Sequence, residues 1–150
     1  MSERKRTVTN ALLLALLLAS FGAMAVEAGK VTQLSGTLLV KKADGTIKIL
    51  EQQSVVEQGD VLFSEKESYA RIHFIDGSEL TLQPETQLEV AAFVFEPSRP
   101  ELDLGTFRLL KGGVQMVTGQ LDARSPARFS LTTPDGAVAT TVVPDGDSGP

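Results

Sequence analysis

The chain has no cysteine and no tryptophan, and it has only one tyrosine and one histidine among 150 residues. Without cysteine it can form neither disulfide bonds nor the acylated amino terminus of a lipoprotein, so the fold must rest on its core alone. One histidine without cysteine cannot supply a zinc-type ligand set. We therefore expect no metal and no cofactor, and we interpret His73 as a solvent-facing strand residue.

Positive charge is also scarce. The chain has 14 basic and 19 acidic residues, and its net charge is −5. Without residues 1–25, 11 basic and 18 acidic residues remain, which gives a net charge of −7. An acidic domain repels nucleic acid and anionic lipid headgroups, and a single tyrosine offers little for base stacking. We expect no nucleic-acid partner.

Residues 1–25 have the features of a secretory signal peptide. A basic start at Arg4–Arg6 precedes an apolar core at Ala11–Ala19, and Ala23–Ala25 supplies a small-x-small cleavage site. The apolar run falls short of the roughly 20 residues that a spanning helix prefers. We expect cleavage after Ala25 or Ala28 and a periplasmic or secreted protein. The alternative is an uncleaved anchor, in which this segment alone would contact the membrane.

After residue 30, apolar residues recur with period two in short segments between turn signals, most clearly from Val55 to Val90. This pattern predicts an all-β domain, an antiparallel β-sandwich or roll of about ten short strands, over residues 29–143. Ser54–Gln58 could form one helical turn, and the polar tail 144–150 is predicted to be disordered. The predicted strands are Gly36–Lys42, Thr46–Leu50, Val61–Ser64, Tyr69–Ile75, Glu79–Gln83, Gln87–Phe95, Thr106–Lys111, Val114–Gly119, Phe129–Thr133 and Ala137–Val143.

Glycine and aspartate mark the predicted turns between these strands. A two-residue turn at Asp44-Gly45 would place Val40 opposite Ile49, with the apolar side chains on one face. At Asp76-Gly77 only a three-residue loop, beginning at Ile75, keeps the apolar residues together. We therefore predict two different turns. The residues assigned to structural turns are Asp44, Gly45, Gly59, Asp60, Asp76, Gly77, Gly112 and Gly113.

Two further patterns bear on function. The chain has no G-x-S-x-G nucleophile motif and no G-x-x-x-x-G-K phosphate loop, so we predict no catalytic residues and no enzyme. Phe93, Phe95 and Phe107 flank the polar segment Glu96–Gly105. A strand that is apolar on both faces is either central or covered by a partner. These three phenylalanines are a possible interaction surface, and burial in a central strand is the alternative.

Several motifs together resemble the FecR domain family. This likeness implies a non-enzymatic periplasmic β-domain. The best-known members are ferric-citrate-type regulators, which pass a signal from an outer-membrane TonB-dependent transporter across the inner membrane to a sigma factor. The matching motifs are G-x-V-x-x-L-S-G at Gly29–Gly36, V-x-x-G-D-x-L at Val56–Leu62, S-x-A-x-I-x-F-x-D-G-S-x-L-x-L at Ser68–Leu82, P-x-T-x-L-x-V at Pro84–Val90, F-x-L-L-K-G-G-V at Phe107–Val114 and T-T-P at Thr132–Pro134.

The layout differs from those regulators, because a signal peptide replaces the cytoplasmic domain and internal membrane span. The chain is similar to stand-alone secreted FecR-domain proteins. The first hypothesis for its function is a protein-interaction or sensing and regulatory module of the bacterial envelope, with an envelope protein as partner. The alternative is an envelope glycan-binding module. Such sites usually stack sugars on tryptophan or tyrosine, and the chain offers only Tyr69.

Overall fold

The structure, a computed structural model, describes residues 26–137. Within this range twelve strands form one five-stranded and one seven-stranded sheet. The signal-peptide segment, the tail 144–150 and nearly all of the predicted strand Ala137–Val143 lie outside the described residues. The strands are β1 (Glu27–Ser35), β2 (Leu38–Lys41), β3 (Ile47–Leu50), β4 (Val55–Glu57), β5 (Val61–Ser64), β6 (Tyr69–Phe74), β7 (Glu79–Leu82), β8 (Gln87–Val94), β9 (Leu104–Lys111), β10 (Val114–Val117), β11 (Phe129–Thr133) and β12 (Gly136–Ala137).

The two sheets have the orders β10-β7-β6-β1-β4 and β12-β11-β9-β8-β5-β2-β3. All pairings are antiparallel except that of β9 with β11, which is parallel. The predicted all-β sandwich is confirmed. Two strands lie where the sequence pattern predicts none: β1 precedes the first predicted strand, and β4 replaces the helical turn expected at Ser54–Gln58. Within the described range, one α-helix, α1 (Gln120–Arg124), and two 3-10 helices, Pro100–Leu102 and Pro126–Arg128, lie in connections where we predicted no helix.

The alternation of side chains explains the layers. In β6, Ala70, Ile72 and Phe74 are buried, whereas Tyr69 and His73 point to solvent. Successive strand residues face opposite sides of a sheet, so every second residue can enter the core. The inner faces of both sheets meet in one cluster of buried apolar residues.

Phenylalanines from both sheets form the centre of this core. The ring of Phe74 on β6 lies 5.2 Å from the ring of Phe93 on β8 and 5.2 Å from that of Phe107 on β9. Phe93 and Phe107 are 5.9 Å apart. These distances and the tilted or edge-on ring orientations are those that aromatic pairs prefer. The three rings therefore join the two sheets directly.

The chain changes sheet between β9 and β10, at Lys111-Gly112-Gly113. Gly112 has φ +84°, and a Cβ at this position would lie 2.4 Å from Oγ1 of Thr86. The Thr86 hydroxyl accepts a hydrogen bond from the Gly113 N–H at 3.1 Å. Glycine is needed at position 112 both for the left-handed backbone and for the close approach of Thr86.

Three other turns share a sequence pattern. In each, a glutamine or glutamate in the left-handed region precedes a serine or threonine. Hydroxyl groups form hydrogen bonds within these turns: Ser54 Oγ accepts from the Glu51 N–H at 2.8 Å, and Ser68 Oγ donates to the Lys66 carbonyl at 3.1 Å. The three turns are 51–54, 65–68 and 83–86.

The central role of the aromatic contact predicts the effect of truncating Phe107. Phe107→Ala should lower the free energy of unfolding by about 3–5 kcal/mol, because it removes a fully buried ring and leaves a cavity between the sheets. Urea denaturation followed by circular dichroism measures this loss. Leu110→Ala, on the same strand but exposed, should cost no more than about 0.5 kcal/mol. Equal losses in the two variants would contradict the assignment of the core.

Candidate functional site

The most exposed apolar side chains among the described residues lie on β3, at one end of the seven-stranded sheet. Ile47 is 66% exposed and Ile49 is 71% exposed. We predicted that Ile49 faces Val40 in the core, and this prediction is wrong. In the structure Val40 is paired with Lys48, and Ile49 is paired with Leu39.

The turn between β2 and β3 causes this difference. Lys42 N–H donates to the Thr46 carbonyl at 2.8 Å, so the loop contains three residues, Ala43, Asp44 and Gly45. Gly45 takes φ +89° at the end of the loop, and Gly77 takes φ +87° in the predicted three-residue loop between β6 and β7. The two Asp-Gly turns are therefore alike, and the prediction of two different turns is wrong. The extra loop residue between β2 and β3 shifts the register by one, so the side chains of Ile47 and Ile49 face outward.

The same register leaves backbone groups of β3 unpaired at the sheet edge. Hydrogen-bonded and non-hydrogen-bonded pairs alternate along an antiparallel ladder. Because Lys42 is hydrogen-bonded to Thr46, Lys48 also falls at a hydrogen-bonded position, and Ile47 and Ile49 do not. The N–H and C=O groups of Ile47 and Ile49 therefore point away from β2, to the free edge.

The outer face beside this edge is apolar. Leu39 on β2 is paired with Ile49 on β3 and, on its other side, with Phe63 on β5. In the neighbouring row Lys41 lies between Ile47 and Val61. Leu39, Val61 and Phe63 are each only partly buried. We call Leu39, Ile47, Ile49, Val61 and Phe63 the β3 face.

The hairpin that carries β3 is anchored by an ion pair. Lys42 Nζ lies 2.9 Å from Asp60 Oδ2 and 3.3 Å from Glu57 Oε2, and the side chain of Asp60 is almost fully buried. Burial opposes the charge on Lys42, but the hydrogen bond and charge of Asp60 outweigh it, and the pKa of Lys42 is raised. Asp60 also accepts from the Glu57 N–H at 2.9 Å. The hairpin is therefore fixed to the turn before β5.

A family model described as "FecR: FecR protein" matches residues 60–142, more than half of the chain. The chain belongs to the FecR family. This membership fits an envelope-associated module. The matched segment starts at Asp60, so β1 to β4 of this FecR protein, and with them the β3 edge, precede it. No curated protein matches the chain.

A solved structure described as "Cell surface anchoring domain" is similar over part of the FecR protein. It is 21% identical, and the overlap covers 42% of this chain and 83% of that one, with a TM-score of 0.41. A likeness this partial does not bear on function. Within residues 26–137, no helix has the length and apolar character needed to cross a membrane.

The possible interaction surface at Phe93, Phe95 and Phe107 needs correction. Phe93 and Phe107 are fully buried, and Phe95 is 9% exposed. Phe93 and Phe107 pack in the centre of the FecR domain, and the guanidinium of Arg124 lies 4.6 Å above the ring of Phe95. A bulge between Val90 and Ala92 breaks the alternation of side chains in β8, so Val90 and Phe93 both face the core. Burial in a central strand, the alternative interpretation, is what the structure shows.

The predicted turn residues of the FecR domain all lie between strands. Asp44, Gly45 and the pair Asp76-Gly77 lie in the two hairpin loops described above. Gly59-Asp60 connects β4 to β5, and Gly112-Gly113 connects β9 to β10.

Asp76 also has a role that the local sequence does not indicate. Its side chain is buried, accepts from the Ser78 N–H at 3.0 Å, and accepts from the Leu121 N–H at 3.3 Å. The Asp76 carbonyl accepts from the Gln120 N–H at 2.9 Å. One turn residue therefore satisfies two backbone donors at the start of α1.

His73 lies on the outer face of β6, as predicted. Its side chain is half exposed, and Nδ1 lies 3.6 Å from Glu79 Oε1. In the part of the chain that the structure describes, no group of three or more histidine, aspartate or glutamate residues is arranged to hold a metal ion.

A buried carboxylate fixes the long loop after β8. Arg124 on α1 forms two hydrogen bonds with Asp103, Nε to Oδ2 at 2.7 Å and Nη2 to Oδ1 at 2.6 Å. The same guanidinium donates to the carbonyls of Glu96 and Pro97, each at 2.8 Å. Ser125 Oγ donates to Asp103 Oδ2 at 2.7 Å. The polar segment Glu96–Gly105 is therefore tied to α1.

This contact predicts how stability depends on pH. The hydrogen bonds from Arg124 lower the pKa of Asp103 below its ordinary value of 3.8. The contact should therefore contribute fully above about pH 4 and lose its effect as the pH falls through the lowered pKa. Urea denaturation from pH 7 to pH 2 measures this, with Asp103→Asn as the comparison. The variant should be less stable at pH 7, and the difference should shrink in acid. A difference that stays constant down to pH 2 would contradict the assignment.

Proposed function

We propose that this FecR protein is an exported, non-enzymatic module of the bacterial envelope that binds a protein partner in the periplasm or outside the cell. The family membership and the signal-peptide features at residues 1–25 support the location. The observation that carries the proposal is the exposed apolar edge at β3. The partner contact would serve interaction or sensing, as in the regulators that the family is known for.

Strand addition is the binding mode that this edge favours. An extended peptide beside β3 would hydrogen-bond to the free N–H and C=O groups of Ile47 and Ile49. Its alternate side chains would cover the β3 face, where the two isoleucines are mostly exposed. Backbone bonds would supply affinity, and the apolar row would select the partner.

The charge near β3 narrows the chemistry of that peptide. Lys41 lies in the outer row between Ile47 and Val61, and Lys48 is exposed on β3 itself. A partner strand in which apolar residues alternate with an acidic residue would cover Ile47 and Ile49 on the outer face and place its acidic side chain near Lys48 on the other face. Lys48 and the four-residue length of β3 also limit pairing with unrelated edges.

The proposal excludes catalysis because the site contains no reactive group. The β3 face is built from aliphatic and aromatic side chains beside lysines, and the single histidine lies on the other sheet, next to Glu79. Contact area and free backbone groups are what this surface offers.

Proline at position 49 should abolish partner binding without disturbing the fold. Ile49→Pro removes an N–H that faces the free edge and leaves the bonds to β2 in place. Wild type and variant are expressed as tagged proteins with the leader and are captured from envelope extracts. Mass spectrometry then quantifies the proteins bound to each. We expect a reproducible partner with wild type and at least a tenfold loss with Ile49→Pro, a loss that corresponds to about 1.4 kcal/mol.

Ile49→Thr is the matched control, because it keeps the N–H and a β-branched side chain. It should retain the partner and lose only part of the signal. Circular dichroism of both variants confirms folding. A partner captured equally by wild type and Ile49→Pro, or no reproducible partner at all, would contradict the proposal.

A further inference from the structure

A second surface lies on the opposite side of the sandwich, on the outer face of the five-stranded sheet. It is a groove of about 450 Å³ that contains the only tyrosine of the chain. Tyr69 is 53% exposed at its rim. The groove is lined by Gln33, Leu34, Ser35, Gln52, Tyr69, Ala70, Arg71 and Thr81.

An irregularity in β1 shapes this groove. The register between β1 and β6 shifts between Val31 and Gln33, so Thr32 is an extra residue in the ladder. After the shift, Gln33 is paired with Arg71 and Ser35 with Tyr69. A bulge re-aims the side chains that follow it. This one brings an amide and a hydroxyl group alongside the tyrosine and the arginine.

The polar groups of the groove are available to a ligand. In residues 26–137, neither the Tyr69 hydroxyl, the Gln33 amide nor the Arg71 guanidinium has a hydrogen-bond or ion-pair partner. Gln52 is placed over the groove by a hydrogen bond from Nε2 to the Thr32 carbonyl at 3.3 Å. The carbonyl of Arg71 accepts from Thr32 Oγ1 at 3.3 Å, which fixes the backbone behind the guanidinium.

The charge of the groove is opposite to that of the domain. Arg71 is the only ionisable group among the lining residues apart from the tyrosine hydroxyl. Glu79, on the same face of β7 as Thr81, lies beside His73, which it approaches to 3.6 Å. An unpaired guanidinium next to amides and hydroxyl groups suits a ligand with one carboxylate among many hydroxyl groups.

We propose that this groove binds an oligosaccharide that carries carboxylate groups. The exposed ring of Tyr69 would stack on the apolar face of a sugar, and the amides of Gln33 and Gln52 and the hydroxyl of Thr81 would bond its hydroxyl groups. Arg71 would pair with the carboxylate. This site is separate from the β3 face, so the protein could hold a glycan on one sheet and a protein on the other.

NMR titration of the ¹⁵N-labelled protein tests the proposal. The probes are hyaluronan tetrasaccharide, which alternates a uronic acid with an amino sugar, and chitotetraose, which is neutral. We expect saturable shifts at Gln33, Tyr69 and Arg71 with the acidic probe, and at least about tenfold weaker binding of the neutral one. Residues of the β3 face should not shift.

Variants separate the two recognition elements. Tyr69→Ala and Arg71→Gln should each weaken binding of the acidic probe about tenfold. Arg108→Gln, on the outer face of the other sheet, makes the same change in net charge and should have no effect. Shifts absent from the groove, equal binding of both probes, or an equal loss with Arg108→Gln would overturn the proposal. None of these results depends on whether β3 binds a protein.

Discussion

The burial of one face of each sheet against the other is the interaction on which the rest of the structure depends. Phe74 from the five-stranded sheet contacts Phe93 and Phe107 from the seven-stranded sheet at its centre. The chain has no cysteine, so no disulfide supports this contact. Because the core must be continuous, the inward-facing residues of the central strands are committed to it. Only outward-facing residues and strand edges remain for function.

The outer faces of the two sheets differ in polarity. Beside β3 the outward positions are apolar and adjoin unpaired backbone, whereas around Tyr69 they are polar and enclose a groove. Ion pairs and hydrogen bonds hold the connections between strands: Lys42 with Asp60 at the first hairpin, and Arg124 with Asp103 at the long loop. The contact of Lys42 with Asp60 fixes the hairpin that carries β3, so this hairpin need not become ordered when a partner binds.

The sequence predicts most of the sandwich, because period-two burial is a local signal. The loop at Asp76-Gly77 was also predictable, since only one register places Ile72 beside Leu80. At Asp44-Gly45 apolar residues occur on both faces of β2 and β3, so two registers look equally good. In the structure Leu38 and Leu50 form the buried pair. The predicted register instead pairs Val40 with Ile49. The sequence therefore does not predict the exposed edge at β3.

Other features depend on contacts between distant residues. Asp76 binds the start of α1 and lies 45 positions before Leu121, so no local pattern announces that helix. The guanidinium of Arg124 covers the ring of Phe95. The same guanidinium donates to the carbonyl of Pro97 and so holds the polar segment after β8 against the domain. The groove needs the bulge at Thr32 to align β1 with β6. In each case the tertiary fold decides what the local sequence leaves open.

Amide hydrogen exchange along β3 tests the central claim most directly. If the edge has the register described, the amides of Ile47 and Ile49 exchange at nearly unprotected rates in the free protein. The amide of Lys48, bonded to β2, exchanges slowly. Protection of Ile47 and Ile49 together with rapid exchange of Lys48 would show the opposite register and would contradict the account of this edge.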